Sequence, residues 1–229
     1  MTITSSFTQK TYETLRADVL SCRVRPGEKL IISTISDRLG VSIGAVRESL
    51  SRLTSEGLVL SKPQRGFWVA PISPDDLKDL TRVRTNIELQ CLERSIIHGG
   101  IKWESQLVGI NHELSCIPPG TPSNPDLPSE AFARVHANFH LALVAACDSP
   151  WLLRLRILLY DQSERYRRLS VPLAGAKRDL VREHGEITEA AIARDVGRAT
   201  TLLEEHFQRT TDLVLSSHFV GNRSQSSAA

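Results

Sequence analysis

Four of the seven histidines lie where helical spacing puts them on apolar faces. His136 and His140 are four residues apart and share a face with Leu143, while His184 and His206 each lie on the apolar stripe of a later helix. An isolated pair at this spacing is more often a satisfied core pair or a surface accident. Four inward histidines on three helices favour a divalent metal site instead, because burying four imidazoles without partners is costly.

These histidines belong to a stretch whose pattern is almost wholly helical. Ser73, Pro74 and two aspartates form a strong helix start, with a cap, a proline at the first position and acids near the positive end of the dipole. The prolines of residues 117–128 forbid a helix and predict an exposed loop. The helices are predicted at about 74–98, 102–116, 129–147, 150–170, 177–194 and 196–217. Six helices with mostly short connections predict an α-helical bundle, whose core commonly holds ligand and metal sites.

The first third of the chain has a different organisation. Residues 8–23 predict one helix, and residues 33–39 and 42–57 predict two more, joined by a turn that contains Gly40. We expect Ser33 and Ser42 to be the caps of the second and third helices. Two β-prone runs around a Pro/Gly turn then predict a hairpin at residues 58–70. A helix-turn-helix followed by a hairpin with a basic tip is a winged helix, whose third helix enters the major groove of DNA.

Charge and composition agree with this division. Residues 1–73 contain ten Lys/Arg against six Asp/Glu, and the remainder contains eighteen against twenty. A basic head on a mildly acidic body suits a protein whose head alone binds phosphates. The four cysteines form no CxxC pair, and the sequence has no membrane-length apolar run or basic signal start. These features predict a cytoplasmic protein with no disulfide framework and no membrane partner.

Five short motifs in the head identify a resemblance: Gly40-Val-Ser42, Val46-Arg-Glu-Ser-Leu50, Arg52-Leu53, Glu56-Gly-Leu-Val59 and Arg65-Gly66. They resemble the reading head of GntR-type bacterial transcription regulators across the segment from Thr11 to Pro71. Where the family usually has Arg-Thr-Pro, this chain has Ile43-Gly44-Ala45, which removes an arginine that often contacts guanine. From chemistry and resemblance together we expect DNA contacts from Ser42, Arg47, Arg52, Lys62, Arg65 and Gly66.

The body from about Pro74 to His218 resembles the effector domain of the FadR subfamily, called FCD. Metal-binding members carry an Asp four residues before a His, then a His on each of two later helices. His140, His184 and His206 match those three histidines, and His136 stands at the Asp position. An all-nitrogen set favours Zn²⁺ or Ni²⁺ over Mn²⁺.

A bound divalent ion with open positions, beside arginines, would suit a carboxylate effector. The candidate effector contacts are Arg84, Arg165, Tyr166 and Arg167, each of which has a surface ion pair or a core position as its structural alternative. Several runs in residues 139–162 resemble the glutarate-responsive repressors of the subfamily, which implies a short dicarboxylate such as glutarate.

The sequence therefore predicts a mainly α protein with a winged helix-turn-helix at residues 8–71 and an FCD bundle for effector binding and dimerisation at residues 72–218. Residues 1–7 and 219–229 are expected to be disordered tails. The expected function is that of a homodimeric, ligand-responsive repressor on pseudo-palindromic operator DNA. Two alternatives are a regulator whose effector is the metal ion itself and a metal-dependent hydrolase with Glu183 or Glu186 as base.

Overall fold

The computed structural model describes residues 7–121, 124–174 and 178–216, with the backbone alone described for residues 124–128 and 170–174. The contacts within the chain form two compact units, Met1–Ser73 and Pro74–Ala229. The predicted tails lie outside the described residues, except for Phe7, which begins the first helix. No helix in these ranges is long and apolar enough to cross a membrane.

Unit 1 consists of three helices and a small sheet. Its elements are α1 (Phe7–Leu20), β1 (Lys29–Leu30), α2 (Ile32–Leu39), α3 (Ile43–Ser55), β2 (Val59–Lys62) and β3 (Gly66–Val69). The three strands form an antiparallel sheet in the order β1-β3-β2. Val46, Leu50 and Leu53 are fully buried, as their spacing on α3 predicts, and they pack with α1 and the sheet. The winged helix-turn-helix is therefore confirmed.

Local chemistry accounts for the helix ends in unit 1. Gly40 ends α2 in the left-handed conformation, with φ +63°, and the Ser42 hydroxyl caps α3 by accepting a hydrogen bond from Ala45 N at 3.2 Å. The prediction that Ser33 caps α2 was wrong, because the helix already begins at Ile32 and Ile31 is the N-cap residue. The sequence analysis also did not predict β1. This strand lies immediately before α2, and its Leu30 pairs with β3.

Unit 2 is a helical bundle, in agreement with the predicted fold class. The described helices are α4 (Pro74–His98), α5 (Ile101–Ser115), α6 (Glu130–Leu143), α7 (Pro150–Ala174), α8 (Leu180–Ile192) and α9 (Val196–Ser216). Its core is one apolar cluster contributed by all of these helices except α7, whose Leu152 and Leu153 pack against the cluster's edge. α4 packs on α7 and α9, while α8 packs on α5 and α9.

Two boundaries in unit 2 differ from the sequence prediction. The proline-rich stretch is not simply an exposed loop, because β4 (Gly120–Thr121) and β5 (Asn124–Pro128) pair there as a two-stranded sheet. In the described part of the chain both strands are edge strands, so prolines can take positions that need no ladder hydrogen bond. α6 ends at Leu143 rather than near Cys147, since a turn follows it.

Candidate metal and effector site

α6 carries two of the candidate ligands, and its position is fixed by a cap and by core packing. Ser129 caps the helix by accepting a hydrogen bond from Phe132 N at 3.2 Å. Phe132 and Phe139 are buried on the same helix, and the rings of both pack against histidines of the cluster. This side of α6 therefore faces the interior, and it takes His136 and His140 there.

The structure brings all four predicted histidines together. His136 and His140 come from α6, His184 from α8 and His206 from α9, and all are buried. One candidate ligand atom from each residue can be chosen so that the four atoms lie within 4.8 Å of one another. The Nε2 atoms of His136 and His140 are 3.3 Å apart. Four nitrogens this close can converge on a single ion.

Burial keeps these imidazoles neutral. It is the main cause that lowers the pKa of all four histidines below the usual 6.5. Neighbouring arginines lower the pKa of all four further, and neighbouring imidazoles lower that of His136, His140 and His184. The pKa of His206 falls to about 4, although a hydrogen bond to Glu183 opposes the fall. Neutral imidazole is the form that binds metal ions, so the environment holds the cluster ready for a cation.

Two ring nitrogens of the cluster test whether it fits a metal ion. His136 Nδ1 and His184 Nε2 are buried and have no hydrogen-bond partner among the described residues. Buried polar atoms without partners are rare in folded proteins, and they call for a specific explanation such as a bound ion. An all-imidazole set is also a donor set that Zn²⁺ and Ni²⁺ accept. The residues present therefore fit a divalent cation.

Arg84 and Arg156 place positive charge beside the histidines. Arg84 lies over the ring of Phe207 at 4.3 Å and donates to Ser163 Oγ at 2.7 Å. Arg156 donates from Nε to Glu88 Oε2 at 2.9 Å, and both side chains are almost fully buried. Both arginines help to lower the pKa of His140. The predicted Arg84 is thus at the cluster, together with Arg156, which the sequence analysis missed.

Arg156 and Tyr160 leave polar atoms available at this place. Arg156 Nη2 and Tyr160 Oη are buried and have no hydrogen-bond partner among the described residues. Arg84 and Arg156 both lie over the Tyr160 ring, with distances of 5.1 and 5.2 Å to its centroid. A hydroxyl and a guanidinium N–H that lack partners can bind an anionic oxygen.

The predicted effector contacts on α7 have different environments. Arg167 donates to Glu164 and lowers the pKa of His136 and His184, so it is electrostatically close to the cluster. The Tyr166 hydroxyl donates to Asp76 Oδ2 at 2.6 Å in the first turn of α4. Arg165 is buried about 200° around the helix from Arg167, since a residue turns the helix by about 100°. The structure therefore supports the placement of Arg167 near the histidines.

A polar stripe on α7 is the signal that the sequence analysis overlooked. Arg156, Tyr160, Ser163 and Arg167 follow one another at steps of four, three and four residues, which places them on one helical face. A polar stripe at helical period on a helix packed in a bundle points to a ligand-facing surface.

The recognition helix of the winged helix-turn-helix is α3, and it differs from the histidine cluster in having an exposed cation. Arg47 is exposed and forms no hydrogen bond or ion pair with other described residues, so its guanidinium is available to DNA. Arg52 is not equally available, because it lies 3.8 Å over the Tyr12 ring and donates to Gln9 at 2.9 Å. Its contacts join α3 to α1. Ile43 begins the helix with 52% of its surface exposed.

The wing is the hairpin of β2 and β3, and its predicted basic residues lie on the surface. Lys62 and Arg65 are exposed, and Gly66 has φ +99°, a conformation that favours glycine. The Lys62 ammonium lies 5.0 Å from the Trp68 ring, and Lys29 lies 5.4 Å from the same ring. Lys29 is a basic neighbour that the sequence analysis did not include.

Comparison with known proteins assigns both units. Residues 7–69 match the family of bacterial regulatory proteins named gntR, and residues 79–209 match the FCD domain. The chain is 37% identical to the HTH-type transcriptional regulator BphR of Paraburkholderia xenovorans, over 91% of this chain and 85% of that protein. It is 35% identical to the HTH-type transcriptional repressor GlaR of Escherichia coli, over 90% and 93%.

The fold is also found among solved structures. Escherichia coli McbR/YncC has a TM-score of 0.75 at 20% identity, covering 92% of this chain and 98% of that one. Matches that span both units, with relatives above 30% identity over nine-tenths of the chain, show the family. The chain belongs to the GntR family of bacterial transcription regulators that carry a C-terminal FCD domain.

Proposed function

We propose that this regulator is a repressor that leaves its operator when a small carboxylate binds at a metal site in the FCD domain. The observation that carries the proposal is the buried group of four histidines whose ligand atoms lie within 4.8 Å of one another. Two of their nitrogens lack hydrogen-bond partners among the described residues. Ring nitrogens without hydrogen-bond partners are costly in a core, so a role in binding an ion explains them.

His136, His140, His184 and His206 would hold the ion, and their all-nitrogen set favours Zn²⁺ or Ni²⁺. When bound, the ion supplies a positive centre that accepts carboxylate oxygens. Arg84 and Arg156 would bind the same carboxylate, since a guanidinium binds a carboxylate through charge-assisted hydrogen bonds. Arg156 Nη2 and Tyr160 Oη would donate to it, since neither has a hydrogen-bond partner among the described residues. A short dicarboxylate such as glutarate, which the family resemblance implies, is the proposed effector.

In the head, we propose that Arg47 contacts a base edge and that Ser42 contacts a phosphate at the N-terminus of α3. Lys62, Arg65 and Gly66 would contact the DNA backbone or minor groove from the wing. Arg52 is the weakest member of the predicted set, because Tyr12 and Gln9 already hold it. Ile43, exposed and apolar at the start of the helix, suits the methyl group of a thymine.

We further propose that the protein acts in the cytoplasm as a homodimer on a pseudo-palindromic operator. Trp151, Leu155 and Leu158 are 70%, 45% and 47% exposed on α7, and their spacing puts them on one face. Exposed apolar faces commonly mark interaction surfaces, and a second copy of the chain would supply the second reading head.

The metal-dependent hydrolase is set aside because the family consists of regulators. Its proposed bases are also occupied: Arg178 donates to Glu183, and Arg182 donates to Glu186. The regulator whose effector is the ion itself remains the second candidate, supported by the same four histidines.

One experiment separates the two candidates. A duplex operator selected by the purified protein from random sequences would be titrated and followed by fluorescence anisotropy. We expect a dicarboxylate to release the DNA from metal-loaded protein but not from chelated protein. Release caused by metal addition or chelation alone, with no response to any acid, would support the ion as effector and overturn the carboxylate proposal.

A further inference from the structure

We propose that Glu183, held in place by Arg178, is a positioning residue that orients His206 toward the metal and supplies the negative charge that the histidine set lacks. This inference rests on the proposed metal site, and it adds two residues that the sequence analysis did not place there.

The geometry joins the three residues in one buried arrangement. His206 Nδ1 lies 2.8 Å from Glu183 Oε2, and both side chains are at most 4% exposed. Arg178 donates to both oxygens of the same carboxylate, from Nε to Oε1 at 3.0 Å and from Nη2 to Oε2 at 2.8 Å. The carboxylate is therefore fixed from one side by a two-pronged guanidinium and from the other by an imidazole.

The carboxylate determines which nitrogen of His206 can bind the ion. Arg178 Nη2 also lies 3.2 Å from Nδ1, but its two N–H groups donate to Glu183 Oε2 and to His206 O. The carboxylate only accepts hydrogen bonds, so the proton of the neutral ring lies on Nδ1. Nε2 then keeps the lone pair that a metal needs. An imidazole whose other nitrogen donates to a carboxylate is the usual arrangement in protein metal sites, where the carboxylate fixes the ring and raises its basicity.

Arg178 extends this arrangement to the backbone of α9. It donates from Nη2 to His206 O at 2.9 Å and from Nη1 to Thr210 Oγ1 at 2.7 Å. The Thr210 hydroxyl in turn donates a hydrogen bond to His206 O. Arg178 stands just before the N-cap of α8. It thus joins the start of α8 to the turn of α9 that carries His206, and it restrains the ligand's main chain as well as its ring.

The charge argument follows from the donor set. Four neutral imidazoles, the donors of His136, His140, His184 and His206, bring no negative charge to a divalent cation. Glu183 touches the ligand His206 and lies within the same buried region. A carboxylate that is hydrogen-bonded to a metal ligand lowers the free-energy cost of holding a cation in a medium of low dielectric constant.

The test compares Glu183→Gln with Glu186→Gln. Glu186 lies one turn further along α8 in an ion pair with Arg182 on the surface, so its substitution removes a carboxylate from the same helix without touching the cluster. Zn²⁺ affinity would be measured by competition with a chromophoric chelator. We expect Glu183→Gln to weaken binding about 10–100-fold, as the loss of such a partner typically does. Glu186→Gln should match the parent.

A second readout needs no metal. Imidazole ¹⁵N spectra of the metal-free parent, with His206 assigned by its loss in His206→Gln, report which nitrogen is protonated. We expect the Nδ1–H tautomer in the parent, and a growing Nε2–H form in Glu183→Gln, since the amide N–H can donate to Nδ1.

The outcomes are separable. An Nε2–H tautomer of His206 in the folded parent overturns the inference, even if the variant does not fold. A Zn²⁺ affinity of Glu183→Gln within about twofold of the parent value also overturns it, because that change is too small for the loss of such a partner. A parent that binds no Zn²⁺ or Ni²⁺ overturns the proposed function instead, while the tautomer spectrum still decides whether Glu183 sets the ring of His206.

Discussion

The recognition helix of unit 1 and the histidine cluster of unit 2 use charge in opposite ways. Arg47 on α3 is exposed and makes no ion pair with described residues, so it can contact DNA phosphates or bases without leaving a partner. In the bundle, Glu88, Arg156 and Glu183 are buried, and each is held by an opposite charge. The recognition helix keeps Arg47 free in water, and the bundle holds its charges in fixed pairs around neutral imidazoles.

The difference concerns where each region obtains its specificity. An exposed cation contributes mainly when a partner arrives, and its attraction depends on salt. A buried pair is costly to break, because removing one member leaves the other charge desolvated. The bundle therefore maintains a fixed arrangement that a ligand can complete, whereas the head depends on complementarity to a second molecule.

The largest expected effect comes from breaking the buried pair. Glu88 accepts from Arg156 at 2.9 Å and from Arg84 at 3.3 Å. We expect Glu88→Ala to lower the free energy of unfolding by about 3–5 kcal/mol, because two guanidinium groups lose their carboxylate. Urea unfolding measures the change. Asp79→Ala removes the exposed Arg82–Asp79 pair on the same helix and should cost about 0–1 kcal/mol. Equal costs for the two variants would contradict the contrast.

The next effect is the pH dependence of the metal-stripped protein. Folding lowers the pKa of the four histidines, to about 4 for His206, while the unfolded value is 6.5. Below pH 6.5 the unfolded chain binds protons that the folded chain does not, so stability is lost as the pH falls from 6.5 through the folded pKa. The expected slope is about 1.4 kcal/mol per pH unit for each such histidine.

Replacing one histidine isolates this slope from the titration of surface groups. His140→Gln should reduce the pH dependence of the unfolding free energy between pH 6 and 4.5 by about 1.4 kcal/mol per unit relative to the parent. His98→Gln, which changes an exposed histidine, is the matched control. The same slope in parent and His140→Gln would show that the cluster is not held neutral.

DNA binding should depend on Arg47 by about 1–3 kcal/mol, the usual value of a good base contact. Gel-shift titration of Arg47→Ala against the parent measures the loss. Arg82→Ala, an exposed arginine on α4, should bind as the parent does. Arg47→Ala with parental affinity would remove this residue from the interface.

The smallest effect separates two roles of Ser42. Its hydroxyl caps α3, so Ser42→Ala should cost about 1 kcal/mol of stability, whereas Ser42→Asp can cap equally well. Aspartate would nevertheless repel a phosphate. We therefore expect Ser42→Asp to keep the parental melting temperature and to weaken operator binding. Parental DNA binding by Ser42→Asp would assign Ser42 a capping role alone.

The sequence predicted features that depend on local spacing. The inward face of α3, the cap at Ser42 and the four histidines all follow from helical periodicity and capping chemistry. Its failures concern contacts between distant segments. The pair Arg156–Glu88 joins residues 68 apart, and the contact of His206 with Glu183 joins residues 23 apart.

Two local details have similar physical causes. Ser33 has the right type for a cap, but β1 pairs with the wing and the helix begins directly after it, at Ile32. Arg52 is exposed, as its periodicity predicts, yet the ring of Tyr12 holds it. In both cases a partner far along the chain decides the outcome, and spacing alone carries no information about that partner.

The most direct measurement of the central claim is the metal content of the purified protein, followed by melting with a panel of short mono- and dicarboxylates. We predict about one Zn²⁺ or Ni²⁺ per chain, and a raised melting temperature with one dicarboxylate in the loaded protein. Both should be lost after chelation and in His140→Ala. A parent that retains no divalent ion and melts at the same temperature with every acid would contradict the account.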